Sequence, residues 1–413
     1  MNPTSSEDSS RSRNLYAFGF TALFNDAATE MAYWILPAFL VSIGAGPAEL
    51  GVIEGIAEST ASFVQLFSGY LADLLPRRKP IVVGGYFAAN FVKPLLALVT
   101  SWGQVLGIRF ADRFSKGIRS VPRDVMLADS GKGLGAVYGF LQALDSAGAI
   151  LGPLAALLLV SSIGLRGVFV AAAVPGAICV LIAWLGIREE HPHQNAKPEI
   201  AGSAAQKSST SFFSSGLGFR GFTRPFYYAI FVITLFSVGN SSDMFLVLRA
   251  ENIGIPVRHV PLLGLVFNIS YTLFSWPAGH LSDRVSRKSI ASLGYLIFGA
   301  VYFVFAIAPS TLAIWVAMAC YGLFYALTAP VLKALIVESV PTSIRGRALG
   351  MYAFLTSMAI LLASLLAGEL WKHFGPRIPF YISAIIAVIS AGMLLLTPGN
   401  KAAGSTASGT ASA

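Results

Sequence analysis

Charged residues are scarce in this chain. Only 12% of its 413 residues are Asp, Glu, Lys or Arg, and 55% are hydrophobic, whereas soluble domains carry about 25% charged residues. This composition excludes an ordinary soluble protein. Apolar runs of about 20 residues, enough to cross a hydrocarbon core of about 30 Å, recur along nearly the whole length. The sequence therefore predicts an all-α integral membrane protein.

Cysteine and histidine are also scarce. The two cysteines, Cys179 and Cys320, fall in separate apolar segments and have neither the spacing of zinc ligands nor that of a disulfide framework. We find no nucleophile and base pair, no metal cluster and no phosphate-binding loop. We therefore expect neither an enzyme nor an ATP-driven pump, and no metal or other cofactor. The five histidines lie in loops or at span ends: His191, His193, His259, His280 and His373.

Twelve membrane spans are predicted, six on each side of a long polar segment. This segment, 188–225, is rich in Ser, Ala, Lys and Glu and is typical of a flexible linker. It separates a first six-helix bundle, 15–187, from a second, 226–397. Residues 1–14 form a polar N-terminal tail, and 398–413 a tail that we expect to be disordered. The predicted spans are 15–43, 49–75, 80–100, 103–129, 134–160, 165–187, 226–250, 259–283, 289–308, 311–339, 345–370 and 375–397.

The loop charges predict the orientation. The formal net charge is +9, and the bases concentrate in the loops on the same side as the two termini. Because Lys and Arg are retained on cytoplasmic loops, we expect a multi-pass protein of the cytoplasmic (inner) membrane with both termini in the cytoplasm. The same bias accounts for the positive charge without nucleic acid, which we do not expect as a partner.

The two halves repeat each other. "FSGYLADLLPRRK" from Phe67 ends span two, and "WPAGHLSDRVSRK" from Trp276 ends span eight. Both copies have Gly, then Asp four residues later, then two bases. Such internal repeats are typical of secondary transporters.

These motifs resemble the loop-two signature of the major facilitator superfamily, G-x-L-A-D-R-x-G-R-K. The resemblance implies twelve helices in two pseudo-symmetric bundles. It also implies a gate on the cytoplasmic side, with the acids that end spans four and ten as partners of the loop bases; the alternative is that the bases only determine topology. The expected gate residues are Gly69, Asp73, Arg77, Arg78, Asp129, Gly279, Asp283, Arg284, Arg287, Lys288 and Glu338.

Two further fragments resemble particular branches of this superfamily. "RFSKG" from Arg113 and "GAILGPLAA" from Gly148 are similar to motifs of drug and metabolite antiporters. The longer string "DRFSKGIRSVPRD" from Asp112 is similar to a prokaryotic branch whose substrates are mostly unassigned.

Span four carries charges on one helical face. Asp112 and Arg113 lie roughly 14 Å from its outer end, near the membrane midplane. Ionisable groups at that depth face a cavity or each other and usually serve function. Spans one, two and five add acids at similar depths, and Lys93 could pair with Glu54. The alternative is that the charges only hold helices together. The predicted cavity and proton-coupling charges are Asp26, Glu30, Glu58, Asp112, Arg113, Lys116 and Asp145.

The corresponding positions of the second half are more polar and aromatic. Asp243 corresponds to Glu30, and Asn268 to Glu58. Such a surface suits an amphiphilic organic molecule, although aromatic side chains also pack between helices. The predicted substrate cavity comprises Arg109, Arg119, Asn240, Asp243, Asn268, Tyr271, Trp276, Tyr321 and Tyr325.

These features predict a proton-coupled secondary active transporter that moves a small organic solute by alternating access, with efflux by proton antiport preferred. A membrane acid that exchanges a basic partner for a proton can couple the proton gradient to the conformational cycle. One alternative is import or export of an organic anion, such as a carboxylate, a phosphate ester or a siderophore-like chelate, bound by the span-four bases. A transporter-like receptor ranks below both. The expected partners are the lipid bilayer, the solute and protons, and we expect a monomer.

Overall fold

The structure is a computed structural model that describes residues 3–45, 47–129, 133–189, 222–256, 259–307 and 310–396. Side chains at 3–12 and at several positions of α2, α8 and α9, including Glu54 and Glu58, lie outside the description. Over these ranges the regular structure is entirely helical. The α-helices are α1 Pro3–Ser42, α2 Pro47–Leu74, α3 Lys79–Val92, α4 Trp102–Asp129, α5 Leu134–Ala171, α6 Ala173–Gly186, α7 Arg224–Gly239, α8 Met244–Ile253, α9 Val260–Arg284, α10 Arg287–Ile307, α11 Thr311–Glu338, α12 Arg345–Phe374 and α13 Ile378–Leu395.

Two irregularities explain how thirteen described helices form twelve spans. In α5, Gly164 has φ 69° and ψ 175°, so the chain turns there and the rest of α5 continues into α6 as span six. A glycine is suited to this turn because its positive φ is costly for other residues. Conversely, α7 and α8 together form span seven, which is interrupted at 240–243. The predicted span 226–250 therefore comprises two helices separated by this interruption.

Six helical stretches of the described chain are both long and apolar enough to cross a membrane. Three helices that are rich in intramembrane charges, α1, α2 and α4, are not among them. Their acids and bases reduce the mean hydropathy of the segment, so their role as spans follows from the fold rather than from hydropathy. The six are Lys79–Leu98, Leu134–Gly186, Arg287–Ile307, Thr311–Glu338, Thr342–Phe374 and Ile378–Leu395.

The helices pack as two halves. In the first half α1 contacts α5 and α6, and α4 contacts α2 and α3; in the second, α11 contacts α9 and α10, and α13 contacts α10 and α7. The halves meet mainly where α5 packs on α9 and α2 packs on α12. This exchange of equivalent helices is the pseudo-symmetric arrangement that the sequence repeat predicts.

One side of the molecule brings together α1 at Asn14, the residues that follow α6 and the α2–α3 connection. Asn14 exchanges two hydrogen bonds with the backbone of Arg188, at 2.8 and 2.9 Å, and the backbone N–H of Arg78 donates to Glu189. We call this the motif side, because both signature loops lie there. The segment predicted as an N-terminal tail is helical from Pro3. Most of the predicted linker and all of the C-terminal tail lie outside the described residues.

Candidate functional site

A polar cavity of about 320 Å³ lies between the halves, and α4 supplies more of its lining than any other helix. Ionisable side chains from α1, α4, α5 and α11 line it. Most of the predicted first-half charges are thereby brought to one space. The charged lining residues are Asp26, Glu30, Asp112, Arg113, Lys116, Arg119, Arg123, Asp124, Asp145 and Lys333.

Asp112 is buried and lies between two bases. Its carboxylate is 3.9 Å from Lys93 Nζ and 3.7 Å from Arg109 Nη1. The Arg109 guanidinium also lies 5.4 Å from the centre of the Tyr33 ring. Burial of this group of charges is tolerated because each has an opposite charge nearby. The side chain of Glu54 lies outside the description, so its expected pairing with Lys93 stays a prediction.

Arg119 joins α4 to α1 and α3. Its Nη2 donates to Asn25 Oδ1 at 3.2 Å, and its guanidinium lies 4.4 Å from the centre of the Tyr86 ring. Asn25 also accepts a hydrogen bond from Asn90, at 3.3 Å, and Asn90 accepts one from Lys93, at 3.1 Å. A chain of hydrogen bonds therefore connects the Asp112 cluster with the cavity wall.

The acids Asp26, Glu30 and Asp145 face the cavity from α1 and α5, opposite the bases of α4. Lys116 is exposed to solvent although it lies in the middle of α4. A charged side chain at that depth is tolerated where it faces water rather than lipid. Glu58, the remaining predicted member of this group, lies outside the described side chains.

An ion pair between the halves lines the motif-side end of the cavity. Lys333 Nζ on α11 lies 2.8 Å from Asp124 Oδ2 on α4, and Arg123 Nη2 lies 2.9 Å from Asp124 Oδ1. The Tyr138 hydroxyl donates to the Asp124 carbonyl at 2.8 Å. Sequence analysis missed both Asp124 and Lys333. The available signals were the Asp at the end of the α4 string and a lone base within the apolar span ten.

The two signature aspartates occupy equivalent positions at the interface. Asp73 at the end of α2 accepts from the backbone N–H groups of Gly346 and Arg347, at 2.7 and 2.9 Å. Asp283 at the end of α9 accepts from those of Gly135 and Ala136, at 2.9 and 2.8 Å. In both cases the donors are the second and third residues of a helix in the opposite half. A carboxylate there satisfies unpaired N–H groups and interacts favourably with the helix dipole.

The signature glycines allow these contacts. A Cβ atom on Gly69 would lie 2.4 Å from the Gly346 carbonyl oxygen, and one on Gly279 would lie 2.0 Å from that of Gly135. Both distances are far below van der Waals contact, so only glycine permits the backbones to approach this closely. At the motif side, each half thus contacts the other through an aspartate that caps a helix and a glycine that allows close backbone approach.

The signature bases form ion pairs around these contacts. Arg78 Nη1 lies 2.6 Å from Asp129 Oδ2, and Arg345 of the opposite half lies 3.0 Å from Asp129 Oδ1. Arg287 contacts both Asp283, at 2.6 Å, and Glu338, at 2.5 Å. Asp129 and Glu338 therefore contact loop bases, as expected from their places at the ends of spans four and ten. The predicted gate residues Arg77 and Arg284 are exposed, and the gating role of the whole set stays a prediction.

Comparisons with known proteins agree with this architecture. The sequence profile of the Major Facilitator Superfamily matches residues 18–249 and 229–412. An uncharacterised MFS-type transporter of Methanocaldococcus jannaschii is 33% identical over 398 residues, which cover 94% of this chain and 96% of that protein. This chain belongs to the major facilitator superfamily. It is a multi-pass membrane transporter and not an enzyme.

Other relatives of this superfamily protein are more distant. An uncharacterised MFS-type transporter of Bacillus subtilis is 25% identical over 351 residues, covering 83% of this chain and 86% of that one. Among solved structures, the fold is similar to that of the human organic anion transporter MFSD10, with a TM-score of 0.73 and 15% identity over 93% of this chain and 99% of that chain. The fold is also similar to that of the Escherichia coli fucose:proton symporter FucP, with a TM-score of 0.71 and 13% identity over 93% of this chain and 98% of that chain. These structures support the fold alone.

The second half of this superfamily member places its predicted cavity residues differently from the first. Tyr271, Tyr321 and Tyr325 pack with Phe267 into one aromatic cluster, with ring centres 5.2 to 5.7 Å apart. None of the predicted second-half residues lines the described cavity. We expected these residues to line the cavity together with those of the first half. Instead, the aromatic rings pack against one another as a core. Their predicted role in substrate binding stays a prediction.

Asn240 is buried, whereas the other three predicted residues of the second half are less enclosed. Asn268 donates to the Gly264 carbonyl at 3.0 Å, within its own helix, and Trp276 is exposed beside Phe140. Asp243 is also exposed, and it lies at the interruption between α7 and α8.

Proposed function

We propose that this transporter couples proton movement to the efflux of a small polar organic solute, by antiport and alternating access, across the cytoplasmic membrane. The observation that supports the proposal is the cavity itself. Acids and bases of the first half face one water-accessible space, and ion pairs and helix caps join the two halves at the motif side, where we propose that they close it. The proton gradient would supply the energy, so that no cofactor is needed, and we expect the protein to act as a monomer.

The arrangement of the acids supports proton coupling. Asp26 and Glu30 lie one helical turn apart on α1, and Asp145 on α5 lines the same cavity. Like charges gathered in a space of low dielectric repel, so such carboxyl groups exchange protons when the nearby bases move. A solute that contacts the bases Arg113 and Lys116 would change this balance. Solute binding and proton binding would therefore oppose each other, as antiport requires.

The loop charges support the orientation. The motif side carries the signature bases of both halves, and Lys and Arg concentrate on cytoplasmic loops. We therefore assign the motif side, with both termini, to the cytoplasm. The described conformation would then be closed towards the cytoplasm. In the transport cycle, the contacts of Asp73, Asp283 and Asp124 would break when the cavity opens to that side.

The first experiment identifies a solute. Purified protein is mixed with a panel of metabolites and drugs, and binding is detected as a rise in the unfolding temperature, because a ligand at many times its Kd adds several kcal/mol of stability.

The second experiment measures flux of that solute in proteoliposomes with a pH gradient. We expect Glu30→Gln to retain solute exchange and to lose the response to the gradient. The matched control is Glu369→Gln, which removes an exposed acid on α12.

Proton coupling is contradicted if flux through Glu30→Gln and through Asp26→Asn follows the pH gradient as in the wild type. If the protein binds the solute but transports it in neither direction, the receptor alternative is supported instead.

A second candidate is transport of an organic anion. It is favoured by the bases Arg113, Lys116 and Arg119, which line the same cavity from one face of α4. In this case Arg113→Ala should abolish binding of the solute. Under proton antiport of a non-anionic solute, Arg113→Ala should impair proton movement and leave binding intact.

A further inference from the structure

We propose that the second half holds a separate binding site for a monovalent cation, at the interruption between α7 and α8, with the Asp243 carboxylate as its charged ligand. The cation is an alkali metal ion or the protonated amine of a solute, since both present one positive charge to oxygen atoms. The site is independent of the proton-coupling charges of the first half. Its occupancy can be measured without transport.

The interruption opens the backbone at depth in the membrane. Helix α7 ends at Gly239, Asn240 has the non-helical angles φ −99° and ψ 82°, and α8 begins at Met244. The backbone N–H of Ser242 donates to Ser364 Oγ of α12 at 2.9 Å, which fixes the segment. Non-helical backbone within a membrane is tolerated where it is enclosed by protein or lines a cavity. Interrupted helices frequently form ion sites for the same reason.

Asp243 places a carboxylate at this interruption. It is exposed to solvent and accepts a hydrogen bond of 2.7 Å from the buried Tyr321 hydroxyl. Within the described part of the chain, no Lys, Arg or His forms a salt bridge with it. A negative charge at membrane depth is costly unless a positive charge accompanies it. The solvent exposure supplies a route by which a mobile cation can reach the carboxylate.

Two buried oxygen atoms near Asp243 make no hydrogen bond of 3.5 Å or less among the described residues. They are the hydroxyl of Tyr302, whose residue is 1% exposed, and Oδ1 of Asn240, whose residue is 8% exposed. The Tyr302 ring lies 6.2 Å from the ring of Tyr321, whose hydroxyl donates to Asp243. Buried polar atoms without partners are rare and indicate a bound water or ion.

The chemistry of this group suits a cation. A carboxylate, an amide oxygen and a tyrosine hydroxyl are hard oxygen ligands, and one monovalent cation would neutralise the single charge of Asp243. The neighbouring aromatic rings would also stabilise an ammonium group through their electron-rich faces. The same residues therefore accept either source of positive charge, and experiment decides between the two.

The test uses the purified full-length protein in detergent. Its unfolding temperature is titrated with sodium chloride, or with methylammonium chloride, at constant ionic strength maintained with tetraethylammonium chloride, whose bulky quaternary nitrogen has no N–H group to donate. We expect a saturable rise with one of the two cations. A response to Na⁺ assigns the site to a metal ion, and a response to methylammonium assigns it to a solute amine. Asp243→Asn should weaken the apparent affinity about tenfold or more, whereas the control Glu369→Gln should not change it.

A second variant separates a cation from a bound water and stays informative if Asp243→Asn fails to fold. Tyr302→Phe removes only the unpartnered hydroxyl, so it should leave the unfolding temperature without cation unchanged or higher. It should at the same time weaken cation binding. The proposal is overturned if neither cation gives a saturable rise, or if the rise is unchanged in both variants. That result would leave the first-half proton coupling unaffected.

Discussion

The ion pair between Lys333 and Asp124 offers the sharpest test of how the cavity is closed. Replacing Lys333 with Met retains most of the side-chain length and removes the charge. The Asp124 carboxylate then loses a partner at 2.8 Å and keeps Arg123 at 2.9 Å. Because this pair joins the two halves, its loss should favour the conformation that is open at the motif side.

The expected magnitude follows from burial. Removing one partner of a buried ion pair costs about 3–5 kcal/mol when the remaining charge is left alone. Here Arg123 still neutralises the carboxylate, so we expect a smaller effect of about 1–3 kcal/mol. Such a change shifts an equilibrium between two conformations by about 5- to 150-fold.

The assay measures access to the cavity from the motif side. Ser120 lines the cavity, and the chain has only two cysteines, so Ser120→Cys can be introduced into a background in which Cys179 and Cys320 are replaced by Ser. In oriented vesicles, the labelling rate with a membrane-impermeant thiol reagent from the motif side should rise at least about fivefold with Lys333→Met. The matched control, Lys372→Met, removes an exposed base near the opposite end of α12. Equal labelling rates in both variants would show that the Lys333–Asp124 pair does not hold the motif side closed.

Two further predictions concern packing. Gly279→Ala should prevent close approach of the halves, because its Cβ would lie 2.0 Å from the Gly135 carbonyl oxygen; cross-linking between motif-side cysteines of the two halves should fall. The control Gly264→Ala, in the same helix with no neighbour within 4 Å, should leave cross-linking unchanged, and equal losses in both would contradict the close-approach argument. Arg249→Met should destabilise the protein by about 1–3 kcal/mol, measured as a lower unfolding temperature, because the buried guanidinium donates to Phe305 and Ala306 carbonyls at 3.0 and 3.4 Å. An unchanged temperature would exclude a structural role for these bonds.

The sequence predicts the helical architecture well, because span length and apolar character are local properties. The sequence repeat also predicts which loops are equivalent. It does not reveal that Asp73 and Asp283 bind the starts of helices in opposite halves. Those contacts join residues more than a hundred positions apart and depend on how the bundles pack, which no local pattern encodes.

The cavity shows the same limit. The helical spacing on α4 predicts that its charges share one face, and the structure places them together. It does not predict that Lys333 approaches Asp124, because a lone base in an apolar helix has no local partner. Nor does it distinguish Tyr271 and Tyr321 as packed core residues from cavity residues. Aromatic side chains at helical spacing suit both roles, and only the neighbouring helices decide between them.

The break between α7 and α8 was also not predictable from hydropathy. Asn240, Ser241 and Ser242 are polar residues with low helix propensity, yet single polar residues are common in membrane helices. The hydrogen bond from Ser242 to Ser364 involves a residue about 120 positions away. Tertiary contacts therefore determine whether such a sequence forms a break.

Under the proposed antiport, solute and protons compete for the charged cavity. The most direct measurement is proton release on binding: a solute that stabilises the protein is added to purified protein in weakly buffered solution near neutral pH, and a pH indicator follows the change. We predict that the wild type releases protons as the solute binds, and that Glu30→Gln and Asp26→Asn bind the solute with reduced release. Binding by the wild type without proton release, or equal release by all three proteins, would contradict the account.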